Sequence, residues 1–239
     1  MNLCIDCGNT RVKFGLFDNN NLKSTKIFSS ERTEEIFDWL DDIDFEDCIL
    51  SNVASKNAEW LERLMEEVDI YEPDAFSPLP IKIKYGSKDT LGSDRLAAWC
   101  GALKLATADN ILIINSGTCI TYDLVNREAG FIGGNIAPGL NMRLRAMNHF
   151  TSRLPLIKSH HVNPGMLGTS TESALQHGAV NGIIYEIDGY YNELSSKNPN
   201  LFCIMTGGDA EFLSVRTQIK TSVEPYLVLH GLNEIARCR

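Results

Sequence analysis

The chain uses one short phrase twice, and the repetition limits what it can fold into. An apolar strand runs into a polar residue, a small residue, a glycine and a polar turn, and a second strand leads out. Ile5-Asp6-Cys7-Gly8 lays over Ile114-Asn115-Ser116-Gly117 in this way. Internal repetition of this kind predicts two similar halves, each opening with a β-hairpin. The reading divides the chain into 1–108 and 109–239. Three further glycine-rich stretches read as turns: GFIGGNIAPG (130–139), GMLGTSTESALQHG (165–178) and CIMTGGDA (203–210). The first leads into a helix over 140–148. The second places Thr169, Ser170 and Thr171 before Glu172 and Ser173, a helix-capping pattern. The third is a strand over 201–205, then Thr206-Gly207-Gly208-Asp209, then a helix.

Elsewhere the pattern predicts an acidic helix over 34–42, a short strand over 48–54 and an amphipathic helix over 57–68. Residues 78–86 alternate Ile81, Ile83 and Tyr85 with lysines and read as a partly exposed strand. The stretch 94–106 reads as a helix. Its small residues Ala97, Ala98, Gly101 and Ala102 suit close packing, and it is a candidate interface face together with the helix expected over 178–194. The fold class is α/β, with two hairpin-led lobes.

Asp6 is the residue that hairpin logic does not explain. Gly8 and Asn9 fit a turn that needs positive φ, but a charge at the inner end of an apolar strand calls for a partner. A glycine-rich hairpin offers backbone N–H groups to phosphate oxygens. A carboxylate beside it suits Mg2+, which takes one or two carboxylates plus phosphate oxygens. Thr10 and Thr118 can donate hydroxyls. Lys13 either points at the same phosphates or is the solvent side of an alternating strand.

Composition narrows the function classes. The net charge of −9 over 239 residues argues against a nucleic-acid surface. The expectation is of no transmembrane run, no signal peptide and a cytoplasmic protein. The seven cysteines are scattered and read as reduced thiols. Cys4 and Cys7 lie along a strand and lack a second pair at zinc spacing. Trp39, Trp60 and Trp99 read as core residues. The acidic run from 41 to 47 reads as solvated surface, and His160-His161 as solvated loop.

DCGNTRVKFGLF resembles the first phosphate motif of the acetate kinase/sugar kinase/Hsp70/actin superfamily, NSGTCITYD its second phosphate motif and TGGDA its adenosine motif. Within that superfamily the chain resembles type III pantothenate kinases, through Asp6-x-Gly8-Asn9-Thr10, Tyr85-Gly86, Gly92-Ser93-Asp94-Arg95, Gly117-Thr118-x-x-Thr121-x-Asp123, Gly133-Gly134-x-Ile136-x-Pro138-Gly139 and Thr206-Gly207-Gly208-Asp209. The resemblance implies two ribonuclease H-like lobes of the actin-like ATPase fold with a cleft between them. It implies ATP-dependent phosphorylation of pantothenate to 4′-phosphopantothenate, the first step of coenzyme A biosynthesis. An alternative is a non-catalytic nucleotide-binding regulatory protein on the same fold.

Residue roles follow from the same resemblance. Asp94 matches the general base. Tyr85, Gly92, Ser93, Asp94, Arg95 and Thr171 match pantothenate contacts, with Arg95 forking the carboxylate. Asp6, Cys7, Gly8, Asn9, Thr10, Arg11, Val12, Lys13 and Thr118 match ATP contacts, and Asp6 holds Mg2+ directly or through water. On the residues alone, LGSDRLAAW is also a plausible helix start with Ser93 or Asp94 as cap. The family position for a monovalent cation, K+ or NH4+, normally carries Asp. Asn115 stands there, so cation binding should weaken. Phe150-Thr151-Ser152 replaces the family's His-Thr-Ala. The resemblance also implies a homodimer with the active site near the subunit interface, and neither nucleic-acid nor membrane partners.

Overall fold

The computed structural model describes residues 1–54, 58–158 and 163–239. In chain order these form β1 (Asn2–Cys7), β2 (Arg11–Asp18), β3 (Asn21–Ser29), α1 (Thr33–Leu40), β4 (Asp47–Asn52), α2 (Glu59–Glu67), β5 (Ile70–Tyr71) and α3 (Ser93–Leu105). Then come β6 (Asn110–Ser116), β7 (Cys119–Asn126), β8 (Gly130–Pro138), α4 (Leu140–His149), α5 (Thr171–Ser195), β9 (Phe202–Thr206), α6 (Ala210–Ser214), β10 (Ser222–Val223) and α7 (Leu227–Ala236). The His160-His161 pair lies outside the described residues.

Two five-stranded sheets result, ordered β3-β2-β1-β4-β5 and β10-β9-β6-β7-β8. Read from opposite ends, the two orders are the same. In each sheet the central strand pairs antiparallel with the strand that follows it, β1 with β2 and β6 with β7. It also pairs parallel with a strand reached by a crossover, β4 or β9. The short echo in the sequence thus marks a repeated topology.

Chain contacts divide the molecule into two compact units. Unit 1 takes in Met1–Thr107, Ala129–Phe131 and Tyr226–Arg239, and unit 2 takes in Ala108–Glu128 and Ile132–Pro225. One face of the first sheet buries Leu3, Ile5, Phe14 and Leu50 against Ile36 of α1 and Trp60 and Leu61 of α2. Trp60 and Trp99 are fully buried, and Trp39 packs on the first core. In unit 2, Leu112, Ile114 and Tyr122 share a core with Ile183 and Ile187 of α5. The α5 N-terminus is capped by Ser170, whose side chain and that of Ser173 form a reciprocal box. Helix α5 runs without a break from Thr171 to Ser195.

The stripe of small residues on α3 has a partner within the chain. Helix α7 lies along it so closely that a Cβ on Gly101 would collide with the Leu227 carbonyl, and one on Gly231 with the Ala97 carbonyl. Ala97, Ala98, Gly101 and Ala102 are all buried here, so this face is not free to form a subunit interface, contrary to the sequence reading. Helix α7 is mostly apolar, and its Leu227, Val228, Leu232 and Ile235 are buried. Its buried Asn233 is satisfied at both ends: Nδ2 donates to the Asn19 carbonyl at 2.8 Å, and Oδ1 accepts from Asn2 at 3.1 Å.

Three local readings change. Residues 78–86 do not form a strand; only Ile83 makes a bridge, parallel, to Phe131. Pro78 and Pro80 lack the N–H groups a ladder needs. The glycine-rich stretch at 130–138 is strand β8, at the edge of its sheet, where glycine's weakness in a ladder matters least. Gly8 and Asn9 do not adopt positive φ. Gly8 sits in close quarters instead: a Cβ there would stand a tight 3.3 Å from the Arg11 carbonyl, to which its own N–H donates.

The α3–α7 contact makes a stability prediction. Gly231→Ala should cost about 3 kcal/mol, because the added methyl meets backbone rather than a movable side chain. Gly189→Ala, in α5 with open space around it, should stabilise by about 0.5–1 kcal/mol. Denaturant midpoints of the two variants, measured side by side, check both signs.

Candidate active site

The strand order of unit 1 brings several of the expected site residues together. Asp6 is half-buried near the end of β1. It stands opposite Lys13 on β2 and level with Ser51 on the parallel neighbour β4. In register pairs the side chains share a face of the sheet. This is the face away from Leu3, Ile5 and Leu50, and the first turn of α3 meets it. Ser51, fully buried, is hydrogen-bonded Oγ to Oγ with Ser93 at 3.0 Å. Sequence reasoning passed over Ser51. The only available signal was a polar residue closing an apolar strand, the same signal that drew notice to Asp6.

Burial pushes the Asp6 carboxyl up to about 6; Lys13 opposes this and the nearby Asp94 carboxylate adds to it. Two carboxylates therefore face one another with one lysine beside them. A divalent cation is a favourable partner for such a group, and a single carboxylate is the donor set that Mg2+ uses when phosphate oxygens supply the rest. Among the described residues there is no cluster of three or more His, Cys, Asp or Glu side chains able to hold a metal without such help.

Helix α3 begins at Ser93, with Gly92 as its cap residue and no side-chain cap. The stretch is a helix start, as read, but its cap residue is Gly92 rather than Ser93 or Asp94. The Asp94 carboxylate folds back over the helix start. Its Oδ1 accepts from the Arg95 N–H at 2.8 Å and lies 2.6 Å from where a Gly92 Cβ would stand. Arg95 is 6% exposed, with its guanidinium among the rings of Tyr85, Trp99 and Phe131. A buried guanidinium presented this way suits a planar anion.

The remaining first-hairpin residues differ in reach. Asn9, Thr10 and Arg11 are exposed. Cys7 and Val12 are buried in the core, so their side chains cannot meet a ligand and only their backbone is available. Burial also raises the Cys7 thiol to about 11, and it is a free thiol, as are Cys4 and the other five cysteines.

In unit 2 the glycine-rich turns converge. Gly117 and Thr118 turn the chain between β6 and β7, and Thr118 is exposed. The Gly139 N–H, at the start of α4, donates to the Thr118 carbonyl at 3.1 Å. A Cβ on Gly139 would collide with the Gly117 carbonyl. Gly207 (φ +97°) approaches Ser116 so closely that a Cβ would strike its carbonyl, which also accepts from the Asp209 N–H at 3.1 Å. Asn115 stands at the end of β6, opposite Thr121 and level with Thr206. Thr171 is the exposed first residue of α5. Phe150 is 82% exposed just after α4.

A family model described as type III pantothenate kinase matches residues 2–193. A type III pantothenate kinase from Christiangramia forsetii is 37% identical over 98% of this chain and 97% of its own. Among solved structures, a Baf-family transcriptional activator from Campylobacter jejuni superposes with TM-score 0.61 at 21% identity, covering 98% of this chain and 97% of the other. A ROK-family glucokinase from Streptomyces griseus, in complex with glucose and AMPPNP, gives TM-score 0.52 at 12% identity, over 99% of each chain. At such identity these two speak for the fold, the α/β kinase fold the sequence led us to expect.

Asp6 yields a stability prediction with a definite sign. Its folded-state pKa lies above the ordinary value, so the folded protein is penalised where the carboxyl is ionised, above about pH 6, and the penalty fades as pH falls toward 4. Asp6→Asn should therefore raise the stability of the ligand-free protein at pH 8 by ~1 kcal/mol once solvent screening is allowed for. The gain should vanish near pH 4. Thermal melts of both proteins across that range measure it.

Proposed function

The chain belongs to the type III pantothenate kinase family, and from that membership we propose how its own residues carry the reaction. It transfers the γ-phosphoryl group of ATP to pantothenate, giving 4′-phosphopantothenate for coenzyme A biosynthesis, and the family's chemistry uses ATP with a divalent cation. The observation that carries the residue assignment is the meeting of Asp6, Lys13, Ser93 and Asp94 on one face of the first sheet, at the end of its central strand.

Asp94 acts as general base. A carboxylate at the partly buried start of a helix, aimed by Gly92 and its own helix backbone, is suited to take the proton from the pantothenate hydroxyl as that oxygen attacks phosphorus. The reaction needs little covalent help from the protein beyond this; positioning and charge neutralisation do the rest. Arg95 binds the pantothenate carboxylate in a fork, and Tyr85, Gly92, Ser93 and Thr171 complete the substrate contacts. The first hairpin (7–12), with Thr10, Lys13 and Thr118, holds the phosphates. Asp6 would hold the magnesium ion, directly or through water, and the ion would neutralise charge on the phosphates.

Asn115 takes the place of the family's cation-binding Asp. Its amide oxygen can still coordinate K+ or NH4+, without the charge, so dependence on a monovalent cation should be weak. The protein acts as a homodimer with the active site near the subunit interface. In support, unit 2 leaves Phe150, Met166, Leu167 and Tyr185 exposed, with the Tyr185 hydroxyl 3.4 Å from the Met166 sulfur; neighbouring exposed apolar side chains of this kind suit a subunit contact.

The test of this reading is a coupled ADP-release assay with pantothenate set against a panel of small alcohols. Release should require pantothenate. Asp94→Asn should lower kcat by about 10³-fold with ATP and pantothenate binding largely kept; full activity in that variant would remove Asp94 from the mechanism. A second substitution addresses the cation. Asn115→Asp should lower the K+ concentration for half-maximal activity by about tenfold, since affinity follows ligand charge, as read from K+ titrations of the same assay.

A further inference from the structure

We infer that Phe131 is a positioning residue for the carboxylate end of pantothenate, acting through Arg95 and Tyr85; the inference rests on the role given to Arg95 above. Phe131 is 2% exposed. Its ring stacks on Trp99 with centroids 4.0 Å apart and planes 10° apart, and it meets Tyr85 edge-on at 5.7 Å and 67°. The Arg95 guanidinium carbon lies 5.6 Å from the Trp99 centroid, 5.8 Å from that of Phe131 and 5.7 Å from that of Tyr85.

These distances decide what the rings do. Trp99 and Phe131 are parallel, so a point almost equally far from both centroids lies beside the stack and not over either face. The pair is a wall along which the guanidinium lies, and the face-on attraction of a cation for a ring is not the main effect here. A wall of this kind excludes water from one side of the fork and removes rotamers that point the fork elsewhere. Both effects lower the entropy lost when a carboxylate binds.

The backbone adds a second link. The Phe131 N–H donates to the Lys82 carbonyl at 3.0 Å, and Ile83 bridges to Phe131. The segment that carries Tyr85 is therefore pinned to the same residue. Gly130 makes this possible. At φ +89° it passes so near Lys82 that a Cβ would collide with the Lys82 carbonyl. Phe131 carries no group able to exchange a proton or meet a charge, so its influence on the reaction has to pass through its neighbours.

The experiment compares Phe131→Leu with wild type in the full-length enzyme by steady-state kinetics, with melting temperature measured alongside. Loss of the wall should raise the pantothenate KM about tenfold while kcat and the ATP KM stay within about twofold. In an Arg95→Lys background, where the planar fork is already gone, the same change should add less than about threefold. A fall in kcat at unchanged pantothenate KM marks a merely structural ring and overturns the proposal. Arg95→Lys by itself should raise the pantothenate KM; if it does not, the carboxylate role of Arg95 is wrong. If it does and Phe131→Leu has no effect on KM, the proposal for Phe131 alone is wrong. Should Phe131→Leu fail to fold, Phe131→Met is read for the same split between KM and kcat.

Discussion

A carboxylate at the inner end of a buried strand is unfavourable unless something meets its charge, and unit 1 is arranged around that constraint. Asp6 has Lys13 on one side and Ser51 on the other, with Asp94 facing it across the start of α3. The lysine does not balance the account: burial and the second carboxylate still leave the Asp6 carboxyl at about 6. A cation that arrives with phosphates resolves this repulsion. The penalty to the empty fold and the appetite of the site for a metal–nucleotide complex are then one quantity. Ser51 and Ser93 join β4 to the first turn of α3, so a short contact ties the helix that carries Asp94 to the strand beside Asp6.

Much of this architecture was legible in the sequence because it is periodic or repeated. The echo between residues 5–8 and 114–117 foretold two sheets of equal topology from only a few residues. It worked because a polar group ending an apolar strand, followed by glycine, is rarely tolerated without a reason. The edge strands were the failures. β3 is polar and half exposed along its length, with Lys23 and Lys26, which is how an edge is kept from pairing with other chains. β8 hides among glycines. The last helix, α7, went unread, although its buried Leu227, Val228, Leu232 and Ile235 contrast with the less buried His230 and Glu234.

Glycine positions showed where something had to come close, but not what. Gly8 was read as a demand for positive φ and instead sits in close quarters beside Arg11. Gly101 read as part of a surface for a second subunit and serves an intramolecular contact, against Leu227 and Gly231 of α7. Phe131 went unnoticed for a related reason. Its partners Tyr85, Trp99 and Arg95 are distant in the chain, and a lone aromatic in a glycine-rich run resembles strand filler. Composition records that a small or flat group is required; only the fold names its neighbour.

The departure at Asn115 has its own logic once the two halves are laid together. Asp6 faces Lys13 across its hairpin, whereas the equivalent Asn115 faces Thr121. On the parallel side, Asp6 stands beside Ser51 and Asn115 beside Thr206. The first half pairs an acid with a base; the second pairs an amide with a hydroxyl. An aspartate at 115 would have no lysine across the ladder and would rely on a bound cation to offset its charge. It would also share its face of the sheet with the buried Asp123, two residues along β7 from Thr121, and an amide avoids that second carboxylate. On this reading the amide removes one carboxylate from the second half, while the first half keeps both Asp6 and Asp94.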